Sequence, residues 1–284
     1  MNINNTRILI IGGTGSWGQA LTRLLLTEDQ PAEIVIYSRA ERTQFEMSEK
    51  FQDKRLRFEI GDVRDKERLN EVMAGVDIVL HLAALKHVPI CEYNPIEAIK
   101  TNINGLQNSI ECAIQNEVSF FVYLSTDKAV EPINSYGMTK AIAEKLVQSA
   151  AQKPSATDFV IVRAGNVIGT NGSILPKMIG QAKETGKITV THPEMTRFMV
   201  RLDDAVRFLS TSVNLQGIQI LSMKCFKIQD LAELVQERFG GEIVYTGIRT
   251  GEKLYEKLDI NGLASYDNVS SKEELKEMIK EWLV

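Results

Sequence analysis

Cysteine is scarce in this chain: Cys91, Cys112 and Cys225 are the only 3 in 284 residues, and no Cys-x-x-Cys pair occurs. An odd, scattered set of this kind predicts reduced, buried thiols rather than a disulfide framework or a zinc site. Histidine is as rare, limited to His81, His87 and His192, and no His-x-x-x-His spacing occurs, so no metal is expected. Long hydrophobic runs are missing too. The apolar run nearest the N-terminus, Ile8 to Ile11, falls far short of the ~20 residues of a membrane-spanning helix. It follows Arg7 and leads into glycines without a signal-peptide cleavage pattern, so the expected location is the cytoplasm, with no membrane partner. Nor is there an excess of positive charge. The 33 Lys and Arg face 37 Asp and Glu, a net charge of −4, which argues against nucleic acid as a partner.

What remains is the composition of an ordinary globular protein, 44% hydrophobic and 25% charged. The length suits one large domain or a domain with a smaller lobe. Apolar, β-branched runs over 7–11, 33–37, 56–60, 78–82, 120–124 and 158–163 read as strands, most of them separated by helix-like stretches such as 18–26. That alternation predicts an α/β fold, a Rossmann-like doubly wound parallel sheet covered by helices. Residues 1–165 are expected to bind a dinucleotide, and 166–284 to form mainly a smaller lobe over the carboxyl ends of the strands, with part of about 197–220 packing back on the first domain. A helix is expected over 227–239. Another is expected over 271–284, where Leu275, Met278, Ile279, Trp282 and Leu283 fall at helical spacing and Trp282 serves as a docking anchor. His81 reads as a core histidine within the fourth strand.

The glycines Gly12, Gly15 and Gly18 stand between the first strand and the first helix, with Thr14, Ser16 and Trp17 among them. There they permit a tight turn and close backbone approach, and they aim a helix N-terminus at a pyrophosphate. At the end of the second strand an NAD site would place Asp or Glu. This chain has Ser38 and Arg39, with Arg42 a turn later, groups suited to a 2′-phosphate and hence to NADP. Asp62 and Val63 follow the third strand at the expected place of the adenine. Leu82, Ala83 and Ala84 follow the fourth, where small side chains let the backbone approach the cofactor. Further on, Tyr136 and Lys140 are four apart, so on a helix they share a face. Lysine beside tyrosine stabilises a phenolate, which makes the pair a candidate base. They come after Leu124-Ser125-Thr126-Asp127-Lys128 at the end of a strand.

In this order the motifs resemble the extended short-chain dehydrogenase/reductase family over nearly the whole chain. Asp127-Lys128, which a simple epimerase or reductase does not need, is similar to the nucleotide-sugar dehydratase branch. Within it the lysine resembles the UDP-N-acetylglucosamine 4,6-dehydratases that invert C5. The stretch from Ala83 through Lys86, His87 and Pro89 to Asn102 also resembles the polysaccharide-biosynthesis branch. So do Arg163-Ala-Gly165-Asn166-Val167, Thr191 to Phe198, and Gly247 to Lys253.

The resemblance implies a tightly bound NADP regenerated in each cycle and a UDP-N-acetylhexosamine substrate. Tyr136, aided by Thr126, removes the O4 proton as C4 is oxidised. Lys128, neutralised by burial near Lys140 and the oxidised cofactor, takes the C5 proton, and Asp127 protonates the leaving O6. Lys86 and Val167 are further implied cofactor contacts. Lys86, His87, Asn166, Thr196, Arg197, Arg249 and Glu252 are implied substrate contacts, with Met138 and Met195 as bulk lining the site. A homo-oligomer, dimer or hexamer, and a place in pseudaminic-type acid synthesis are further implications. Open alternatives are release of the 4-keto-5,6-ene, retention at C5, a UDP-sugar 4-epimerase or 4-reductase, and a non-catalytic NADP sensor.

Overall fold

The computed structural model describes residues 3–262 and 264–284. The first half contains β1 (Arg7–Ile11), α1 (Ser16–Glu28), β2 (Glu33–Ser38), α2 (Glu41–Phe51), β3 (Leu56–Ile60), α3 (Lys66–Met73) and β4 (Ile78–His81). It continues through α4 (Val88–Tyr93), α5 (Pro95–Ile99), a π-turn at Lys100–Asn104, α6 (Gly105–Gln115), β5 (Phe120–Thr126), α7 (Ser135–Ala151) and β6 (Asp158–Ala164). The second half holds β7 (Asn166–Ile168), α8 (Ile174–Thr185), β8 (Lys187–Val190), β9 (Thr196–Arg201), α9 (Leu202–Thr211) and β10 (Gly217–Ile220). The chain closes with β11 (Lys224–Lys227), α10 (Ile228–Phe239), β12 (Glu242–Tyr245) and α11 (Lys272–Met278).

A seven-stranded sheet runs β10-β6-β5-β4-β1-β2-β3, every neighbouring pair parallel. The doubly wound Rossmann-like expectation is met. Alternation along the strands builds two cores. Leu9, Ile11, Val35, Tyr37, Phe121 and Tyr123 face one side, under α3, α6 and α7. Ile8, Ile10, Ile34, Ile36, Val122 and Val160 face the other, with Leu21 and Leu25 of α1 and Val206 and Leu209 of α9. A slip of one residue in the Leu9↔Val35 register would exchange the two faces, so both cores fix the pairing. The strand order reverses at β1, between β2 and β4, which opens a crevice at the carboxyl ends of β1 and β4.

The second half contributes to this sheet. Arg207 on α9 pairs with Glu28 on α1, and β10 extends the sheet edge beside β6. Sequence reading found no strand at β10, because a four-residue, half-exposed edge strand carries no continuous apolar run. A third core built on Leu175, Met178, Ile188, Phe226, Leu231, Leu275 and Ile279 supports two small sheets, β11-β9-β7 and β12-β8. The expected terminal helix is shorter than 271–284: a capping box at Ser271 starts α11, and after Met278 the chain tightens into a 3₁₀ turn at Lys280–Trp282. Trp282 covers Gly169, where an added Cβ would stand 2.3 Å from the indole. No helix among the described residues is long and apolar enough to cross a membrane.

Candidate active site

The crevice at the switch point is a cleft of about 570 Å³. Its floor is the loop from Gly12 to Gly18. Gly12 adopts a left-handed φ of 83°, and a Cβ there would meet Ala83 N at 2.8 Å; a Cβ on Gly18 would meet Gly13 O at 2.2 Å. Larger side chains would therefore push the loop off both β4 and α1. The cradle and the free N–H groups opening α1 fit a dinucleotide pyrophosphate. Thr14, Ser16 and Trp17 line this end, and Ser16 Oγ accepts a 2.9 Å hydrogen bond from Asn171 N. Ser38, Arg39, Asp62, Val63, Leu82, Ala83 and Ala84 complete the wall. Arg39 is half exposed at the rim, 3.7 Å from Asp62. Arg42 lies outside the cleft lining, exposed on α2 and paired with Glu46 at 2.7 Å. The π-turn places Asn102 so that it bonds both backbone groups of Leu85 and the Thr139 hydroxyl, fixing the β4 loop to α7.

At the other end of the cleft, β5 stops at Thr126 and a short 3₁₀ turn begins, capped by the Thr126 side chain. Asn134 caps α7 by accepting from Gly137 N at 2.7 Å, which sets Tyr136 in the first turn. Tyr136 and Lys140 then line the cleft together with Thr126 and Lys128. Burial pushes the Tyr136 phenol up to about 12, against the opposing pull of Lys128 and the Thr126 hydroxyl. Burial brings Lys140 down to about 7, although Glu144 opposes it. The Lys140 ammonium donates to Leu124 O at 2.6 Å and lies 4.0 Å above the Tyr123 ring. Beneath it, Arg163 of β6 donates to both Glu144 oxygens of α7 at 2.8 and 2.6 Å, and Ser125 donates to the same carboxylate.

Because Lys140 has a folded pKa near 7 and an ordinary value in the unfolded chain, the unfolded chain binds more protons between the two. Its contribution to stability therefore rises with pH through that window and is lowest under acid conditions. Lys140→Met should flatten this part of the pH dependence of the urea midpoint; an unchanged slope would contradict a buried amine titrating near neutrality.

Asp127 is fully buried and lines neither cavity. Its Oδ1 accepts from Thr126 at 2.9 Å and from Lys128 Nζ at 3.0 Å, while Oδ2 accepts no hydrogen bond. Lys128 corrects an expectation. Burial works to lower its pKa, but the Asp127 and Glu256 carboxylates hold it above the ordinary lysine value, so the amine is charged here. Glu256 was not found from sequence. It stands 3.5 Å from Lys128 Nζ, 2% exposed, and its Oε2 accepts no hydrogen bond.

A second cavity of about 240 Å³ adjoins the first, sharing Lys128 and Asn166 with it. Arg197, Arg249, Glu252, Met195 and Glu256 line it. The Arg197 guanidinium donates to the carbonyls of Thr196, Lys253 and Leu254, so the loop after Gly247 is anchored on β9. Lys86, His87 and Val167 line the first cleft, where Lys86 Nζ donates to Asn171 O at 3.1 Å. Thr196 is turned away from both cavities and shares a 2.8 Å hydrogen bond with Ser265. Met138 is half exposed and lines neither. His81 is buried against Phe121 and Tyr123, its pKa pushed down to about 3 by burial and by Lys140, a neutral core histidine as expected. The three cysteines are free and buried. Among the described residues no group of His, Cys, Asp and Glu is arranged to hold a metal ion.

Residues 8–280 match the family described as polysaccharide biosynthesis protein. A UDP-N-acetylglucosamine 4,6-dehydratase (inverting) of Campylobacter jejuni is 47% identical over 262 residues, 89% of this chain and 77% of that protein. A Rickettsia felis protein named UDP-glucose 4-epimerase is 42% identical over 261 residues, 88% of this chain and 76% of its own length. Among solved structures, Pen from Bacillus thuringiensis is similar with a TM-score of 0.94 at 37% identity, covering 100% of both chains.

Proposed function

The chain belongs to the polysaccharide biosynthesis protein family, and on that premise we propose that it is a UDP-N-acetylglucosamine 4,6-dehydratase, a hydro-lyase that uses a resident NADP. The observation that carries this reading is Lys128 where the two cavities meet, paired with the buried Asp127 behind it, on the cleft that Tyr136 and Lys140 also line. Bound nicotinamide would accept a hydride from sugar C4 and return it to C6. Tyr136 passes its proton through the Thr126 hydroxyl, which bonds Asp127 Oδ1, to the Asp127 carboxylate, and the phenolate, beside Lys140, takes the O4 proton. Lys128 takes the C5 proton once the 4-ketone has acidified it. Asp127 gives a proton to O6 after its side chain turns into the cleft. The turn breaks the bonds that Thr126 and Lys128 make to Oδ1; Oδ2 has none to break, and Gly165, where a Cβ would come within 3.2 Å of that oxygen, leaves the room. Asn166, Arg197, Arg249 and Glu252 hold the UDP-sugar, and Lys86 and His87 border it. Inversion at C5, and a product that feeds pseudaminic-type acid synthesis in the cytoplasm, belong to the same proposal.

The Rickettsia felis relative favours one rival, a UDP-sugar 4-epimerase. The two differ by a molecule of water. Mass spectrometry of UDP-GlcNAc incubated with the purified protein, no cofactor added, should show a product lighter by one water; a product of unchanged mass would favour the epimerase.

The NADP preference rests on Arg39 at the cleft rim, where a guanidinium can form charge-assisted bonds with a 2′-phosphate. Arg39→Ala should weaken NADP binding about 10–100-fold, with little effect on NAD. Equal loss for both cofactors would remove Arg39 from that role. The proposed homo-oligomer has a candidate face in the packed helices α4, α5 and α7, which expose Ile90, Tyr93, Ile96 and Ile142.

A further inference from the structure

A charged Lys128 cannot remove a C5 proton, and the structure contains a partner able to discharge it. Lys128 Nζ lies between two carboxylates, Asp127 Oδ1 at 3.0 Å and Glu256 Oε1 at 3.5 Å, on the wall that the two cavities share. Asp127 also bonds Thr126 and, in the proposed reaction, must deliver its own proton to O6, which leaves Glu256 as the acceptor for Lys128. Glu256 is held rigidly by its backbone: Glu256 N donates to Ser265 Oγ at 3.0 Å, and Ser265 N donates back to Glu256 O at 2.8 Å. Thr196, expected at the substrate, anchors that serine instead. The carboxyl is therefore fixed, nearly inaccessible to water, and has an oxygen free of hydrogen bonds.

We propose that Glu256 is the proton acceptor that discharges Lys128 when substrate fills the site. This rests on the dehydratase reading. One Lys128 Nζ–H bond breaks and one Glu256 Oε1–H bond forms, with no electrons exchanged and no net change in the protons the pair holds. Neutral Lys128 then takes the C5 proton; the pair sheds its extra proton to solvent, and a solvent-derived proton enters at C5 from the opposite face. Glu256 acts through Lys128, so it is a positioning residue.

The surroundings already lean this way. Burial raises the Glu256 carboxyl above its usual range and Asp127 adds to this, against the pull of Lys128, Arg197 and Lys253. Lys253 Nζ stands 3.7 Å from Oε2 and is held back by its own bond to Val130 O. A sugar expelling water from the shared wall would strengthen the effect of burial on both partners, which favours the neutral pair.

The test is the pH profile of kcat. An internal transfer leaves the proton count unchanged, so in the full protein Lys128 should add no rising limb to the rate across the neutral range. In Glu256→Gln, Lys128 must lose its proton to solvent. The rate should then fall about a hundredfold at neutral pH and climb about one decade per pH unit, with KM little changed. A carboxylate acting only as a neighbouring negative charge gives the opposite sign, because its removal makes Lys128 easier to discharge and the acid limb moves down in pH. A flat profile at the original rate, or that downward shift, overturns the proposal. Glu256→Asp covers the case of a poorly folded Gln variant. It keeps an acceptor and should remain flat at reduced rate; a rising profile there also overturns the proposal. If the unaltered protein yields no dehydrated sugar, the dehydratase reading fails and takes this inference with it, whereas a normal dehydratase with an unaltered Gln profile removes only Glu256.

Discussion

Lys128→Ala should lower the formation of dehydrated sugar by about 10²–10⁴-fold while oxidation at C4 remains measurable. The first hydride transfer draws on Tyr136 and Lys140, which both remain in the cleft, although Tyr136 loses the Lys128 charge that eases its ionisation. The block falls after it, because no amine remains to take the C5 proton. Rapid mixing of UDP-GlcNAc with the holoenzyme should therefore show reduced nicotinamide that accumulates and decays slowly, where the unaltered protein shows almost none. The variant also removes the cation that opposes the effect of burial on the Glu256 carboxyl, which should then hold a proton more readily. Full dehydratase activity in Lys128→Ala would remove the base from the proposed reaction. Equal loss of the C4 oxidation step would place Lys128 in substrate binding instead.

The second large effect is on stability. Arg163 and Glu144 join β6 to α7 directly beneath Lys140, both nearly inaccessible, in a two-pronged ion pair that Ser125 completes. Glu144→Ala leaves a buried guanidinium with only the half-exposed Asp259 carboxylate, 3.7 Å away, in place of its two-pronged partner, which costs about 3–5 kcal/mol. For a domain of this size the melting temperature should drop by about 10 °C. Removing both charges at once, as Glu144→Leu with Arg163→Met, should restore most of the loss, because a well-packed apolar pair avoids the desolvation that the ion pair must overcome. A single variant within about 1 kcal/mol of the parent would mean that water reaches Arg163.

Features written in neighbouring residues were legible in the sequence. The glycine loop after β1 and the Tyr136–Lys140 spacing on α7 need only one turn of backbone to acquire their meaning, and the strands of the first half announced themselves as apolar β-branched runs. What depends on residues far apart in the chain was not. Glu256 reaches Lys128 only because Ser265 and Arg197 tie its loop to β9, and no local pattern marks that approach. The charge on Lys128 follows from Asp127 beside it and from the same distant carboxylate, which the expectation built on burial, Lys140 and the oxidised cofactor did not include. Asp127 shares a motif with cleft residues but turns into the protein, since Thr126 and Lys128 both bond its Oδ1. Thr196 and Arg42 stand in motif segments and still point elsewhere, one to Ser265 and one to Glu46. Sequence order located the segments; side-chain direction came from packing.

Proton NMR of the purified protein with UDP-GlcNAc in D2O, without added cofactor, goes straight to the reaction. A self-contained C5-inverting dehydratase should give a new C6 methyl signal, deuterium at C5, and ring couplings of the inverted sugar. Vinyl signals would show a reaction that stops at the 5,6-ene, and methyl signals with retained couplings would remove the inversion. A sugar that keeps its C6 oxygen, whether unchanged or epimerised at C4, would contradict the assignment of Asp127 and Lys128 to the loss of water.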